Sequence, residues 1–138
     1  MTTIAAKDGI MSCDSNISSG YQAAAKKIRK KNGIIVGFAG DWIAGEYFAR
    51  YYLGNRSEKP DRDSDDDFEL LILKPSGIYL ADKRLREVRI RCKHYAIGSG
   101  SMAAMVAMNM GATAAEAVKE AAKVDDYTGG KIISLSLT

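Results

Sequence analysis

Cysteine and histidine are nearly absent from this 138-residue chain: it has two cysteines, Cys13 and Cys92, and one histidine, His94. Two cysteines build no disulfide framework, and without a CxxC spacing they form no zinc or thiol-redox motif. A lone imidazole supports neither a zinc site nor a Ser-His-Asp arrangement. No apolar run approaches the roughly 18 residues of a membrane span, and the first residues lack the basic stretch and long apolar segment of a signal peptide. The expectation is a protein of the reducing cytoplasm, with no membrane partner. Excess charge of one sign is also missing. Twenty lysines and arginines against 17 aspartates and glutamates leave a net charge of +3, too mild for a dedicated nucleic-acid binder. Around Gly98-Ser99-Gly100 the glycines are too few for a dinucleotide fingerprint, and no Gly-Lys-Ser/Thr follows to make a phosphate loop.

What remains is ordinary globular composition, 46% apolar and 27% charged, and a length suited to one domain spanning residues 1–138. The chain is organised from its first fourteen residues. Two short β-prone runs flank Asp8-Gly9, a dipeptide suited to the positive φ angles of a type I′ hairpin turn. A hairpin centred there brings Asp14 beside Thr2 and Thr3. Met1 precedes a small residue and is expected to be removed, which leaves Thr2 with a hydroxyl and a free α-amine titrating at roughly 7.7–8.0. One residue then holds a nucleophile and a base.

Further along, Ala23 to Lys31 is short and basic, and Ile34 to Ala39 is a continuous apolar run expected to be a strand buried on both faces. Asp41 is the expected N-cap of a helix from Trp42 to Leu53, in which Ile43, Tyr47 and Tyr51 recur at helical spacing and read as core packing. Arg56 to Asp67 is an exposed acidic loop, whose aspartates lack the glycine and closing glutamate of a calcium loop, so no metal is expected. Phe68 to Leu73 and Ile78 to Ala81 are strands around a Pro-Gly turn. The stretch from Leu85 to Lys93 reads as a half-buried strand with one basic face, Arg86, Arg89, Arg91 and Lys93. A helix capped by Ser101 runs from Met102 to Met110, and the capping box Thr113 to Glu116 opens another that ends at Val124. Lys131 to Leu137 is the last strand. Strands followed by helices in this order suit sheets covered by helices.

Taken together, Met1-Thr2-Thr3-Ile4, Cys13-Asp14-Ser15, Lys26-Lys27-Ile28-Arg29, Gly37-Phe38-Ala39-Gly40, Ile97-Gly98-Ser99-Gly100 and Asp125-Asp126-Tyr127-Thr128-Gly129-Gly130 resemble the proteasome β-subunit and HslV-type family of N-terminal nucleophile hydrolases, in the expected order. The resemblance implies an α+β fold, a four-layer αββα sandwich of the N-terminal nucleophile hydrolase type. It also implies a threonine-type endopeptidase that cuts peptides or unfolded proteins inside a homo-oligomeric ring, with an ATP-dependent unfoldase as possible partner and no cofactor.

By the same resemblance, Thr2 is the catalytic threonine, Asp14 and Lys27 the buried pair beside it, and Gly40 the oxyanion-binding glycine. Ser99, Asp125 and Thr128 form the outer polar set, with Thr128 where the proteasomal pattern usually has serine. Ile17, Ser18, Phe38 and Trp42 fall where the family lines its specificity pocket. The chain is expected to be a shortened member, with the acidic stretch after Asn55 in place of a second long helix. Its loop aspartates are expected to meet the basic strand face of a neighbouring subunit. The alternatives are a catalytically silent ring-forming homologue and a small-molecule amidase of the same fold.

Overall fold

The computed structural model describes residues 2–18, 22–24, 26–55, 60–61, 65 and 67–138. The chain opens with the expected hairpin. Strand β1 (Thr3–Lys7) turns through Asp8 and Gly9, with φ of 52° and 74°, into β2 (Ile10–Cys13). Positive φ at both central residues gives the turn the twist of the strands it joins, and the register that follows sets Ile4 opposite Cys13. After the short pair β3 (Asn16–Ser18) and β4 (Gln22–Ala24) come β5 (Ile28–Lys31) and β6 (Ile34–Gly40). Helix α1 (Trp42–Tyr52) follows, then β7 (Phe68–Lys74), β8 (Gly77–Ala81), β9 (Glu87–Ile90) and β10 (His94–Gly98). Helices α2 (Ser101–Asn109) and α3 (Ala114–Val124) precede β11 (Ile133–Ser136).

Two antiparallel sheets result, with strand orders β10-β1-β2-β11 and β5-β6-β7-β8-β9. Alternation along the strands sorts their side chains into three cores. Ile4 and Ala6 of β1 join Ile35, Ala39, Leu71 and Leu73 between the sheets, whereas Ala5 points the other way, into the small-residue layer under α2 and α3. Val36 and Phe38, one step out of phase with Ile35, lie under α1 with Leu70 and Ile72. The layers therefore run helices, sheet, sheet, helix, the four-layer αββα sandwich. β6 is buried on both faces, as its unbroken apolar run requires.

Asp41 caps α1 by accepting from the Ala44 N–H at 2.8 Å, and the capping box of α3 is present. Three expectations need correction. Ile43 and Tyr47 are 64% and 38% exposed, so the stripe read as core faces outward. The helix docks instead through Gly45, Phe48 and Ala49, because Gly45 lets the Phe38 ring approach the helix backbone. A Cβ there would stand 2.5 Å from Phe38 Cδ2. Ser101 does not cap α2; Gly100 occupies the N-cap without a side-chain bond. The stretch from Leu85 to Lys93 is not a half-buried strand over its length, since β9 is four residues at the edge of its sheet and Glu87, Val88 and Arg89 are exposed. No helix among the described residues is long and apolar enough to cross a membrane.

Candidate active site

The site is built where the two sheets meet at the start of β1. Thr2 precedes the strand, Asp14 follows its hairpin partner, and Lys27 enters from the other sheet, where its carbonyl accepts the Phe38 N–H at 3.2 Å. All three are buried. The hairpin register brings the Asp14 N–H to the Thr3 carbonyl at 3.3 Å, which aims the carboxylate back at the chain start.

Three donors converge on one oxygen of that carboxylate. Oδ1 of Asp14 accepts from the Thr2 hydroxyl at 2.5 Å, from Lys27 Nζ at 2.9 Å and from the Thr3 N–H at 3.1 Å. Oδ2 accepts from the Gly129 N–H at 3.0 Å. Lys27 Nζ also donates to the Asn16 carbonyl at 2.6 Å, so the ammonium is fixed from two sides. A buried ion pair is retained at low cost only when its remaining hydrogen-bonding groups are satisfied, and this one has that support.

A second network lies alongside. Thr3 Oγ1 and Thr128 Oγ1 are 2.7 Å apart, Thr128 Oγ1 donates to Asp125 Oδ2 at 2.5 Å, and Ser99 Oγ donates to the same oxygen at 2.6 Å. Asp125 is the C-cap of α3, which anchors the network to the helix layer. Burial pushes the Asp125 carboxyl up, but the hydroxyls of Ser99 and Thr128 and the Tyr127 N–H outweigh it and hold it below the usual carboxylate range. Ser99 Oγ stands 3.4 Å from the Thr2 carbonyl, next to the chain start. Cys13 is a different case: burial pushes its thiol up to about 11, which leaves it a neutral core group at neutral pH.

Six of the expected residues, Thr2, Asp14, Lys27, Ser99, Asp125 and Thr128, thus lie in two adjoining networks. Gly40 stands at the end of β6 with φ of 109°, outside those hydrogen bonds. A Cβ there would lie 2.7 Å from Phe68 Cα, so only glycine fits. Trp42, 48% exposed, is the first residue of α1. Phe38, expected in a pocket wall, is 2% exposed, and its ring belongs to the core under α1. Ile17 and Ser18 lie on β3 opposite Ala23 and Gln22, but their side chains, like Met1, fall outside the described residues.

Two features went unread in the sequence. Thr3 supplies a buried hydroxyl to the second network, and Gly98 and Gly100 make room for the chain start. Gly98 has φ of 101°, and a Cβ on it would run into the Thr2 carbonyl; one on Gly100 would run into Thr3 Oγ1. The glycine pair flanking Ser99 was the signal for the second; the Thr3 hydroxyl carried no local mark.

The same arrangement of layers occurs in solved structures. Thiobacillus denitrificans BPH superimposes with a TM-score of 0.71 at 23% identity over 99% of this chain and 98% of that one. The structure of the same protein in complex with epoxomicin gives 0.71 at 21% over the same shares. Eukaryotic HslV from Trypanosoma brucei gives 0.66 at 18% identity, covering 98% of both chains. The chain has the HslV fold. The matches run over 98% of each of these neighbours; the acidic stretch after Asn55, expected in place of a second long helix, lies mostly outside the described residues. No protein-family model matches the sequence, and no curated protein matches it.

Proposed function

We propose that the HslV-fold chain is a threonine-type peptidase with Thr2 as nucleophile once Met1 has been removed. The observation that carries this reading is the convergence of the Thr2 hydroxyl and Lys27 Nζ on Asp14 Oδ1. A hydroxyl on a chain end is a weak nucleophile by itself. It becomes effective when a base takes its proton and nearby positive charge favours the developing alkoxide.

In this reading the freed α-amine of Thr2 accepts the hydroxyl proton as Thr2 Oγ1 bonds to the scissile carbonyl carbon. The proton then passes to the leaving amine as the C–N bond breaks, leaving an ester on Thr2. Water, deprotonated by the same amine, cleaves that ester and restores the hydroxyl. Lys27 supplies positive charge beside the reacting oxygen, and Asp14 positions both. The Gly40 N–H is the proposed oxyanion donor, and Ser99, Asp125 and Thr128 order the chain end. Ile17, Ser18 and Trp42 remain the proposed lining for the substrate side chain.

We further propose that the chain works as a homo-oligomeric ring in the cytoplasm, taking unfolded segments delivered by an ATP-dependent unfoldase. The HslV-like neighbours support a ring, and the outward apolar residues Trp42, Ile43, Met102 and Val106 on α1 and α2 supply contact surface. Light scattering tests the assembly, and a monomer under all conditions would remove the ring.

Intact mass of the protein treated with a threonine-directed β-lactone tests the chemistry. The expected result is a mass without Met1 plus one adduct, absent from Thr2→Ala, with peptide hydrolysis lost in that variant. Retained Met1 with no adduct would leave a silent homologue. An adduct without peptide hydrolysis, but with turnover of small amides, would make the protein an amidase.

A further inference from the structure

A different part of the molecule carries an interaction surface that does not depend on the Thr2 chemistry. β9 pairs with β8 on one side only and forms the outer edge of its sheet. An edge strand presents a row of backbone N–H and C=O groups ready to receive another strand. Just beyond lies an open concavity of about 700 Å³ lined by Val88, Arg89, Ile90, Arg91, Cys92 and Lys93.

The charges around this edge divide into two groups. Arg86 is engaged with Asp82 at 2.5 Å, and Glu87 is held by Lys74 at 2.7 Å and by the Tyr52 hydroxyl. Arg89, Arg91 and Lys93 have no anionic partner among the described residues. The concavity therefore offers three cations while the neighbouring carboxylates are occupied. Val88, in the middle of the strand, is 66% exposed.

The pleat specifies the ligand further. Val88 and Ile90 pair with Leu80 and Ile78, which belong to the core between the sheets, whereas Arg89 pairs with Tyr79 on the helix side. A strand added to β9 would continue both faces, with apolar side chains beside Val88 and Ile90 and the intervening ones beside Arg89. We propose that β9 is a docking strand for an extended acidic peptide segment of a partner protein, one that alternates apolar and acidic side chains. Main-chain hydrogen bonds would provide the pairing, and the three cations the choice of partner. Nucleic acid is the poorer match, because no aromatic side chain lines the concavity for a base to stack on.

Fluorescence anisotropy with a labelled peptide of alternating aspartate and valine, titrated with the whole chain, tests this. Expected are saturable binding, at least tenfold weakening when alternate peptide nitrogens are methylated, and at least tenfold weakening in the triple variant Arg89→Ser, Arg91→Ser, Lys93→Ser. Lys123→Ser, a distant surface control, should leave the affinity unchanged. Absence of binding would overturn the proposal, as would equal binding of the methylated peptide or equal binding of a single-stranded oligonucleotide of the same charge. If the cations only guard the edge against self-pairing, the triple variant will self-associate with its peptide affinity intact, and the proposal fails. Binding that emerges only after Asp65, Asp66 and Asp67 are changed to serine would give the groove to a second copy of this chain instead.

Discussion

Thr3 Oγ1 lies 2.7 Å from Thr128 Oγ1, and the proton between them comes from Thr3, because Thr128 spends its only hydroxyl proton on Asp125 Oδ2 at 2.5 Å. The direction matters. A hydroxyl relay running from the first strand to the cap of α3 ties the residue beside Thr2 to the helix layer; its two threonines are buried, and Asp125, where it ends, is half-buried.

Thr3→Val keeps the shape of the side chain and removes the donor, so the Thr128 oxygen keeps its donated bond to Asp125 but loses the proton it accepts. The expected cost is about 1–3 kcal/mol, the penalty for a buried acceptor left unsatisfied. Thr3→Ser keeps the donor and should lose only about 0.8 kcal/mol for the missing methyl group. Denaturant titration of the two variants checks the order, and the rate of β-lactone addition at Thr2 reads whether the chain end has moved. A valine variant as stable as the serine one would mean that the relay contributes nothing.

Lys27→Ala is expected to cost about 3–5 kcal/mol, because it strips a buried carboxylate of its counter-charge. Lys26→Ala and Lys30→Ala remove the same formal charge from exposed positions and should each stay within about 0.5 kcal/mol. Chemical denaturation of all three at one pH makes the comparison. Equal losses would show that the Lys27–Asp14 pair has no special weight.

This contrast was legible before the structure only in part. The hairpin and the approach of Asp14 to the chain start follow from Asp8-Gly9, since a two-residue turn fixes register over the next few residues. That Lys27, rather than Lys26 or Lys30, points inward came from resemblance. The basic segment carries no local mark distinguishing them, and the choice is made by how β5 pairs with β6. The outer face of α1 was misread because Ile43, Tyr47 and Tyr51 form the more apolar stripe. The docking face depends on the absence of a side chain at Gly45, and a missing Cβ adds nothing to a hydrophobic pattern. Ser101 suffered from the same locality: it suits an N-cap by type, but the tight path through Gly98 and Gly100 starts the helix one residue earlier.

Gly98→Ala separates backbone strain from collision. Gly98 and Gly111 both have positive φ, 101° and 107°, so alanine at either one pays for an unfavourable conformation. A Cβ on Gly111 meets nothing within 4 Å, whereas one on Gly98 would run into the Thr2 carbonyl. Gly111→Ala should therefore cost about 1–2 kcal/mol and leave Thr2 reactive. Gly98→Ala should cost more and abolish the β-lactone adduct. If the two variants lose equal stability and both react, the collision is relieved by a shift that does not reach Thr2.

Asp125 makes the stability of the site dependent on acid. Its folded-state pKa lies below the ordinary value of 3.8, because the bonds from Ser99, Thr128 and Tyr127 outweigh the opposing effect of burial. Below its ordinary pKa the unfolded chain begins to take up a proton that the folded chain still refuses, and the unfolded state gains. The stabilisation from this carboxylate is consequently complete above the ordinary carboxylate range and is lost as pH falls through the depressed folded value. Asp125→Asn cannot titrate and cannot accept both hydroxyls as an anion does. The wild type should be the more stable protein at neutral pH, and its advantage should shrink as pH drops below about 4. Urea midpoints for both proteins from pH 7 down to pH 3 read the difference directly, with the other carboxylates cancelling in the comparison. An advantage that stays constant across this range would mean that Asp125 gains nothing from its charge, and the hydroxyls of Ser99 and Thr128 would then be held in place by geometry alone.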